Sequence, residues 1–158
     1  MKKKLLNDYS ISDCLYNRFY RIRLNNKDNI YDKFEKQLVF KQWADNITYD
    51  DDTFIIQREN KWSIFDKNLN FISKTWLIEK PYFHCHFALL KNDIENYQYM
   101  DNKGNFINID YLREAKPFNP LTNSAEIEIH NGEKIKIHLD QLALNKKTKL
   151  YNFKTPIY

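Results

Sequence analysis

A segment of roughly 34 residues recurs about three times along this chain, and this recurrence constrains the fold more than any other feature. Phe54 and Phe87 stand 33 positions apart, and Asp66-Lys67 and Asp101-Asn102 stand 35 apart. Asn70-Phe71-Ile72 returns as Asn105-Phe106-Ile107 at the same offset of 35. The first copy is fainter. Ile30-Tyr31-Asp32-Lys33 precedes Ile64-Phe65-Asp66-Lys67 by 34, and Lys41-Gln42-Trp43 precedes Lys74-Thr75-Trp76 with one residue slipped between. A period of this size means one small unit stacked on itself, each copy burying its neighbour's apolar face.

The unit reads as two short strands joined by a turn. In the third copy Asn96-Tyr97-Gln98-Tyr99-Met100 leads into Asp101-Asn102-Lys103-Gly104, and Asn105-Phe106-Ile107-Asn108-Ile109 leads out. Asp opening a turn accepts a hydrogen bond from the backbone two residues on, and Gly at the fourth position takes positive φ without steric cost. The second copy, Asp66-Lys67-Asn68-Leu69, lacks the glycine, so Asn68 is expected to take the left-handed conformation. Asp32-Lys33-Phe34-Glu35-Lys36 has an extra residue, and its turn is expected to be irregular. Recurrence at one turn position explains Asp32, Asp66 and Asp101 as turn caps rather than as a catalytic or metal-binding set.

Composition agrees with strands. Aromatic residues make up 16%, with 11 Tyr and 11 Phe, and the 158 residues suit one domain over 1–158. Within it fall an N-terminal segment 1–19, the repeat array 20–110 and a hairpin with tail 111–158. No apolar run approaches the ~18 residues of a membrane span. Met1-Lys2-Lys3-Lys4-Leu5-Leu6 opens like a signal peptide, but Asn7-Asp8 ends its apolar stretch, so a cytoplasmic protein without membrane contact is expected. The net charge of +4 is unevenly spread. Residues 1–41 hold ten Lys/Arg against five Asp/Glu, residues 44–110 seven against eleven, and residues 111–158 eight against five. A nucleic-acid binder concentrates basic charge on its structured face. Here the repeat centre is acidic, and nucleic-acid binding is expected to be weak or absent.

Asn60-Lys61-Trp62-Ser63-Ile64-Phe65-Asp66-Lys67-Asn68 resembles the core of bacterial and phage WG repeats, which run Lys-Trp-Gly, an apolar-aromatic pair, Asp and a Gly-containing turn. Phe83-His84-Cys85-His86-Phe87-Ala88-Leu89-Leu90 is similar to that family's second landmark, a Phe followed by a small apolar strand. The resemblance covers about residues 20–110. The Trp-Gly pair stands here as Trp62-Ser63, Tyr97-Gln98 and Asp28-Asn29, and the second landmark's glycine is replaced around His86. The resemblance implies a β-rich repeat with a binding role, and it transfers no active site and no cofactor.

His84-Cys85-His86 is the one local cluster of metal-capable or nucleophilic side chains. Successive strand residues point to opposite faces, so His84 and His86 would share the surface while Cys85 turns to the core. Zinc needs four ligands, and His130, His138 and Cys14 are isolated. No metal site is expected. A thiol enzyme using Cys85 with His84 or His86 ranks third among the functional readings, because neighbouring residues on opposite faces make a poor nucleophile–base pair. Trp43 and Trp76 end matching segments and pack between units or form an exposed aromatic surface; with Tyr82 they are the candidate binding residues.

At the N-terminus, Ser10 and Asp13 look like a helix start, and Leu15, Phe19 and Ile22 fit one helical stripe. A short helix over about Ser10–Arg18 is expected, then a strand. After Pro117 and Pro120 the repeat gives way to a separate hairpin, Ala125 to Ile137 around His130-Asn131-Gly132. A three-residue loop ending in Gly132 pairs Ile127 with Ile135 and Ala125 with Ile137, leaving Glu128–Lys134 and Glu126–Lys136 on the wet face. The fold class is thus mainly β: a short stack of about three WG-like hairpin repeats, a small N-terminal helix and a C-terminal hairpin. The functional expectation is a non-catalytic module that binds another protein. The alternative is a small inhibitor or adaptor acting on a nucleic-acid-handling complex through its basic ends.

Overall fold

The computed structural model of the chain describes residues 10–91, 97–107, 109 and 112–141. They are mainly β, arranged as four consecutive antiparallel meanders. The first holds β1 (Ser10–Tyr16), β2 (Phe19–Leu24), β3 (Lys27–Asp32) and β4 (Gln37–Leu38). The second holds β5 (Asn46–Asp50), β6 (Thr53–Arg58) and β7 (Lys61–Asp66), with residues 71–77 running beside β7 through bridges at Phe65–Phe71 and Trp62–Leu77. The third holds β8 (Phe83–His84), β9 (Phe87–Lys91), β10 (Tyr97–Asp101) and β11 (Phe106–Ile107). The last holds β12 (Leu112–Ala115), β13 (Ser124–Ile129) and β14 (Lys134–His138).

The repeat seen in sequence is a repeat in space. Asp32, Asp66 and Asp101 each end the third strand of their meander. Two residues earlier, the carbonyl of Ile30 accepts from Val39 at 2.8 Å, that of Ile64 accepts from Ile72 at 2.9 Å, and Tyr99 pairs with Ile107. At the other end of the strand, Asp28 exchanges two backbone hydrogen bonds with Ala44, and Trp62 does the same with Leu77. Trp43 and Trp76 therefore precede equivalent bridging residues. The aspartates act as turn caps. Asp66 Oδ1 accepts from the backbone of Asn68 and Asn70 and Oδ2 from the Asn70 side chain, all at 2.9 Å. Asp101 makes the same clasp with Lys103 and Asn105 at 3.0, 2.8 and 2.9 Å. Asp32 Oδ1 accepts from Phe34 and Glu35.

The left-handed residue of the second turn is Leu69 (φ 65°), not Asn68. It occupies the place of Gly104 (φ 87°), because the clasp fixes the residue before Asn70 or Asn105 whatever its side chain. The longer first turn uses Lys36 (φ 53°). A Cβ on Gly104 would lie 2.9 Å from Ile72 Cβ in the preceding meander, whereas one on Gly132 (φ 83°) would meet nothing within 4 Å. Gly104→Ala adds a collision to left-handed strain and is expected to cost about 3 kcal/mol, and Gly132→Ala, which has the strain alone, about 1 kcal/mol. Urea denaturation of the two variants checks the gap.

The N-terminal segment departs from expectation. Ser10–Tyr16 is strand β1, paired with β2 across the turn at Asn17 and Arg18, and not a helix. Register irregularities between Ile11 and Asp13 and between Cys14 and Tyr16 break the alternation a strand normally shows. The apolar stripe Leu15, Phe19 and Ile22 runs across the turn from β1 into β2, so its helical spacing comes from two strands. The C-terminal hairpin has the expected register, with Ile127 opposite Ile135, Ala125 opposite Ile137, Glu126 opposite Lys136 and Glu128 opposite Lys134. It is not a separate appendage, because β12 pairs with β13 to make a fourth meander.

Three apolar clusters join neighbours in order. Phe19, Ile30, Ala44, Ile47, Phe54 and Ile56 join the first meander to the second. Ile64, Leu77, Ala88, Leu90 and Met100 join the second to the third, and Tyr99, Phe118, Ala125, Ile127, Ile135 and Ile137 join the third to the fourth. Buried polar groups tie the same interfaces. Asp28, fully buried, accepts Arg23 Nε at 2.7 Å and the Ile47 amide of the next meander at 3.1 Å. No helix among the described residues is long and apolar enough to cross a membrane.

Candidate functional site

The segment that returns along the third strand carries Trp43 in the first meander and Trp76 in the second, and Arg58 reaches the ring of Trp76 and the backbone beside Trp43. Arg58 closes β6, and its Nη2 donates to the carbonyl of Gln42, the residue before Trp43, at 3.0 Å. Its guanidinium carbon stands 5.1 Å from the Phe40 ring centroid and 5.9 Å from that of Trp76. Both tryptophans are half-buried. Arg58 makes no ion pair among the described residues, and its buried Nε has no acceptor. Burial lowers its pKa from the ordinary arginine value, though an arginine remains charged at neutral pH. A desolvated guanidinium stacked on two rings favours a carboxylate or an aromatic ring brought by another molecule. Lys41 and Lys61, both exposed, flank this rim in sequence and in strand pairing.

Tyr82 stands at the start of the third meander. It is 58% exposed, immediately precedes β8, and has Lys80 Nζ 5.3 Å from its ring. Of the three candidate aromatics, Trp76 meets Arg58 through its ring, Trp43 follows the residue whose carbonyl Arg58 binds, and Tyr82 meets Lys80. Sequence reading missed Arg58 and Phe40. The only available signal was the position of Arg58 before the turn Glu59-Asn60, which says nothing of the rings it would meet.

His84-Cys85-His86 does not continue a strand. Cys85 (φ 53°) and His86 (φ 67°) are the two turn residues between β8 and β9, both left-handed, which is the geometry of a type I′ hairpin turn. Opposite strand faces therefore do not govern them, and Cys85 is only half-buried. The thiol lies 3.8 Å from Asn123 Oδ1, and His86 Nδ1 lies 2.7 Å from Asp51 Oδ1. Thiol and imidazole thus have separate partners, and no hydrogen bond joins them among the described residues. With Asp50, Phe83, Pro120 and Leu139 these residues line a cavity of about 480 Å³ where loops of three meanders meet. No group of three or more His, Cys, Asp or Glu among the described residues could hold a metal ion. The lysines at 2–4, 146, 147 and 149 lie outside the described residues.

No family model matches the chain, and no curated protein does. Solved structures that match the chain at a distance include an Hsv2 from Kluyveromyces lactis whose loop 6CD is replaced by a Gly-Ser linker, at TM-score 0.42 and 11% identity over 83% of this chain and 50% of that one. A Kluyveromyces marxianus Hsv2 matches at TM-score 0.40 and 8% identity, over 84% of this chain and 49% of that one. The computationally designed Ika4 protein matches at TM-score 0.34 and 8% identity, covering 78% of this chain and 86% of that chain. The chain spans about half the length of the Hsv2 structures it matches.

Proposed function

We propose that this chain is a non-catalytic protein-interaction module built on WG-like repeats, with the rim around Trp43, Arg58 and Trp76 as its main contact. The observation that carries the reading is the Arg58 guanidinium, stacked on Phe40 and Trp76 and left without a carboxylate among the described residues. Aromatic and arginine side chains in partly desolvated settings supply most of the energy of protein interfaces. The partner supplies an acidic group for Arg58 and an apolar or aromatic side chain beside the tryptophans. Tyr82 is a peripheral contact.

The test is capture of a partner from native lysate with and without nuclease. Trp76→Ala and Arg58→Ala are each expected to reduce capture more than about tenfold, as loss of an interface anchor does. Trp43→Ala follows the same direction, and Tyr82→Ala has a smaller effect. Charge reversal at Lys2, Lys3 and Lys4 leaves capture intact. Capture that vanishes with nuclease, or with those terminal reversals alone, transfers the assignment to an adaptor of a nucleic-acid-handling complex.

A further inference from the structure

The fourth meander ends in an exposed strand edge whose charge selects what can pair with it. Among the described residues β14 pairs only with β13. The Ile129 amide donates to the Glu133 carbonyl at 3.0 Å, and at the far end the Leu139 amide donates to Asn123 at 2.9 Å. Both bonds set the same ladder phase, so Ile135 and Ile137 bond to β13. Lys134, Lys136 and His138 consequently turn their backbone N–H and C=O groups off the sheet. The His138 amide confirms this direction, since it donates outward to Gln141 Oε1 at 3.2 Å. Gln141 closes one end of the edge, and among the described residues nothing caps the outward backbone groups of Lys134 and Lys136.

The side chains at this edge are biased as well. On the wet face Lys116 takes Glu126 at 2.9 Å and Arg113 takes Glu128 at 3.4 Å, both from the β12 side. Lys134 and Lys136 make no ion pair among the described residues. On the other face Ile135 and Ile137 are buried. A strand added here therefore meets two lysines without a close ion pair on one face and an apolar border on the other. A second β14 would set lysine against lysine. Residues 142–158 contain four lysines and no acidic residue, so charge opposes that segment too.

We propose that the open edge of β14 binds an extended strand of a partner protein with acid–apolar–acid alternation, the pattern by which Glu126-Ile127-Glu128 already pairs with the strand's other side. This adds a strand to an existing sheet, with main-chain hydrogen bonds at Lys134 and Lys136 and specificity from the two ammonium groups. The site is independent of the Arg58 rim. Edge lysines also discourage unwanted strand pairing, and the experiment separates that role from recognition.

Amide hydrogen exchange is measured on the full chain with a capped peptide copying Ala125–Ile129, and with the same peptide carrying Lys for Glu. In the free chain the Lys134 and Lys136 amides should exchange much faster than those of Ile135 and Ile137. The acidic peptide at about 1 mM should slow them by about fivefold, and the lysine peptide should not. Lys134→Gln with Lys136→Gln keeps the strand and should remove the preference. The proposal is overturned if the two lysine amides are already protected in the free chain, if both peptides protect equally, or if neither does.

Discussion

Phe54→Ala should lower the free energy of unfolding by about 4 kcal/mol, the largest loss expected from any single core truncation in this chain. Phe54 is fully buried in the cluster between the first and second meanders. Its ring meets Phe19 edge-on at 5.7 Å and Tyr49 at 4.8 Å, and it sits opposite Phe65 across the β6–β7 ladder. Alanine leaves a cavity lined from both meanders, and neither can collapse into it without disturbing the Asp28–Ile47 hydrogen bond beside it. Phe54→Leu keeps most of the volume and should cost about 1.5 kcal/mol. Urea denaturation followed by far-UV circular dichroism reads both. In a stack whose apolar clusters join consecutive units, this interface weakens before the others. A Phe54→Ala loss below about 1.5 kcal/mol would mean that the two meanders do not depend on this cluster.

The features legible in the sequence were those in which one local chemical signal decides the geometry. An aspartate followed four residues later by asparagine closes the same clasp at Asp66 and Asp101. The Glu/Lys alternation with Gly132 fixes the last hairpin, since any other register would bury a charge. The two-residue turns Asn25-Asn26, Glu59-Asn60 and Cys85-His86 were not legible. All are left-handed without a glycine, and the chain has only two glycines to announce a turn. The strand pairing forces that backbone on whichever residues fall there, at a cost the sheet offsets. Cys85 and His86 therefore looked like strand residues.

The site was legible in part, for a different reason. The matching of Trp43 with Trp76 follows from the repeat, and both precede bridging residues as that matching requires. Arg58 meets Trp76 within the second meander, but its contacts with Phe40 and Gln42 depend on how the first meander leans on the second, and no period along the chain encodes that. Tyr82 has no counterpart in the repeat, and the fold puts it before β8 with Lys80 against its ring. Repeats specify which positions are equivalent. They do not specify which equivalent positions touch.

Asp101→Ala should cost about 3 kcal/mol, roughly twice the loss from Asp66→Ala, although the two carboxylates make the same hydrogen bonds. Each accepts two backbone amides and one asparagine side chain at nearly equal distances. The difference is water. Asp101 is 6% exposed and its clasp is part-buried, whereas the Asp66 clasp is exposed. Once the carboxylate is gone, the amides at Lys103 and Asn105 have poorer access to solvent than those at Asn68 and Asn70, so more of their desolvation penalty remains. The Asp101 turn also carries Gly104 against Ile72, so loosening it disturbs the junction with the preceding meander. Asp101→Asn retains one carbonyl oxygen for the two backbone amides but meets the Asn105 amide nitrogen with another donor, and should fall midway. Equal losses at the two positions, read by the same urea titration, would show that the clasps act through turn geometry alone and that burial adds nothing.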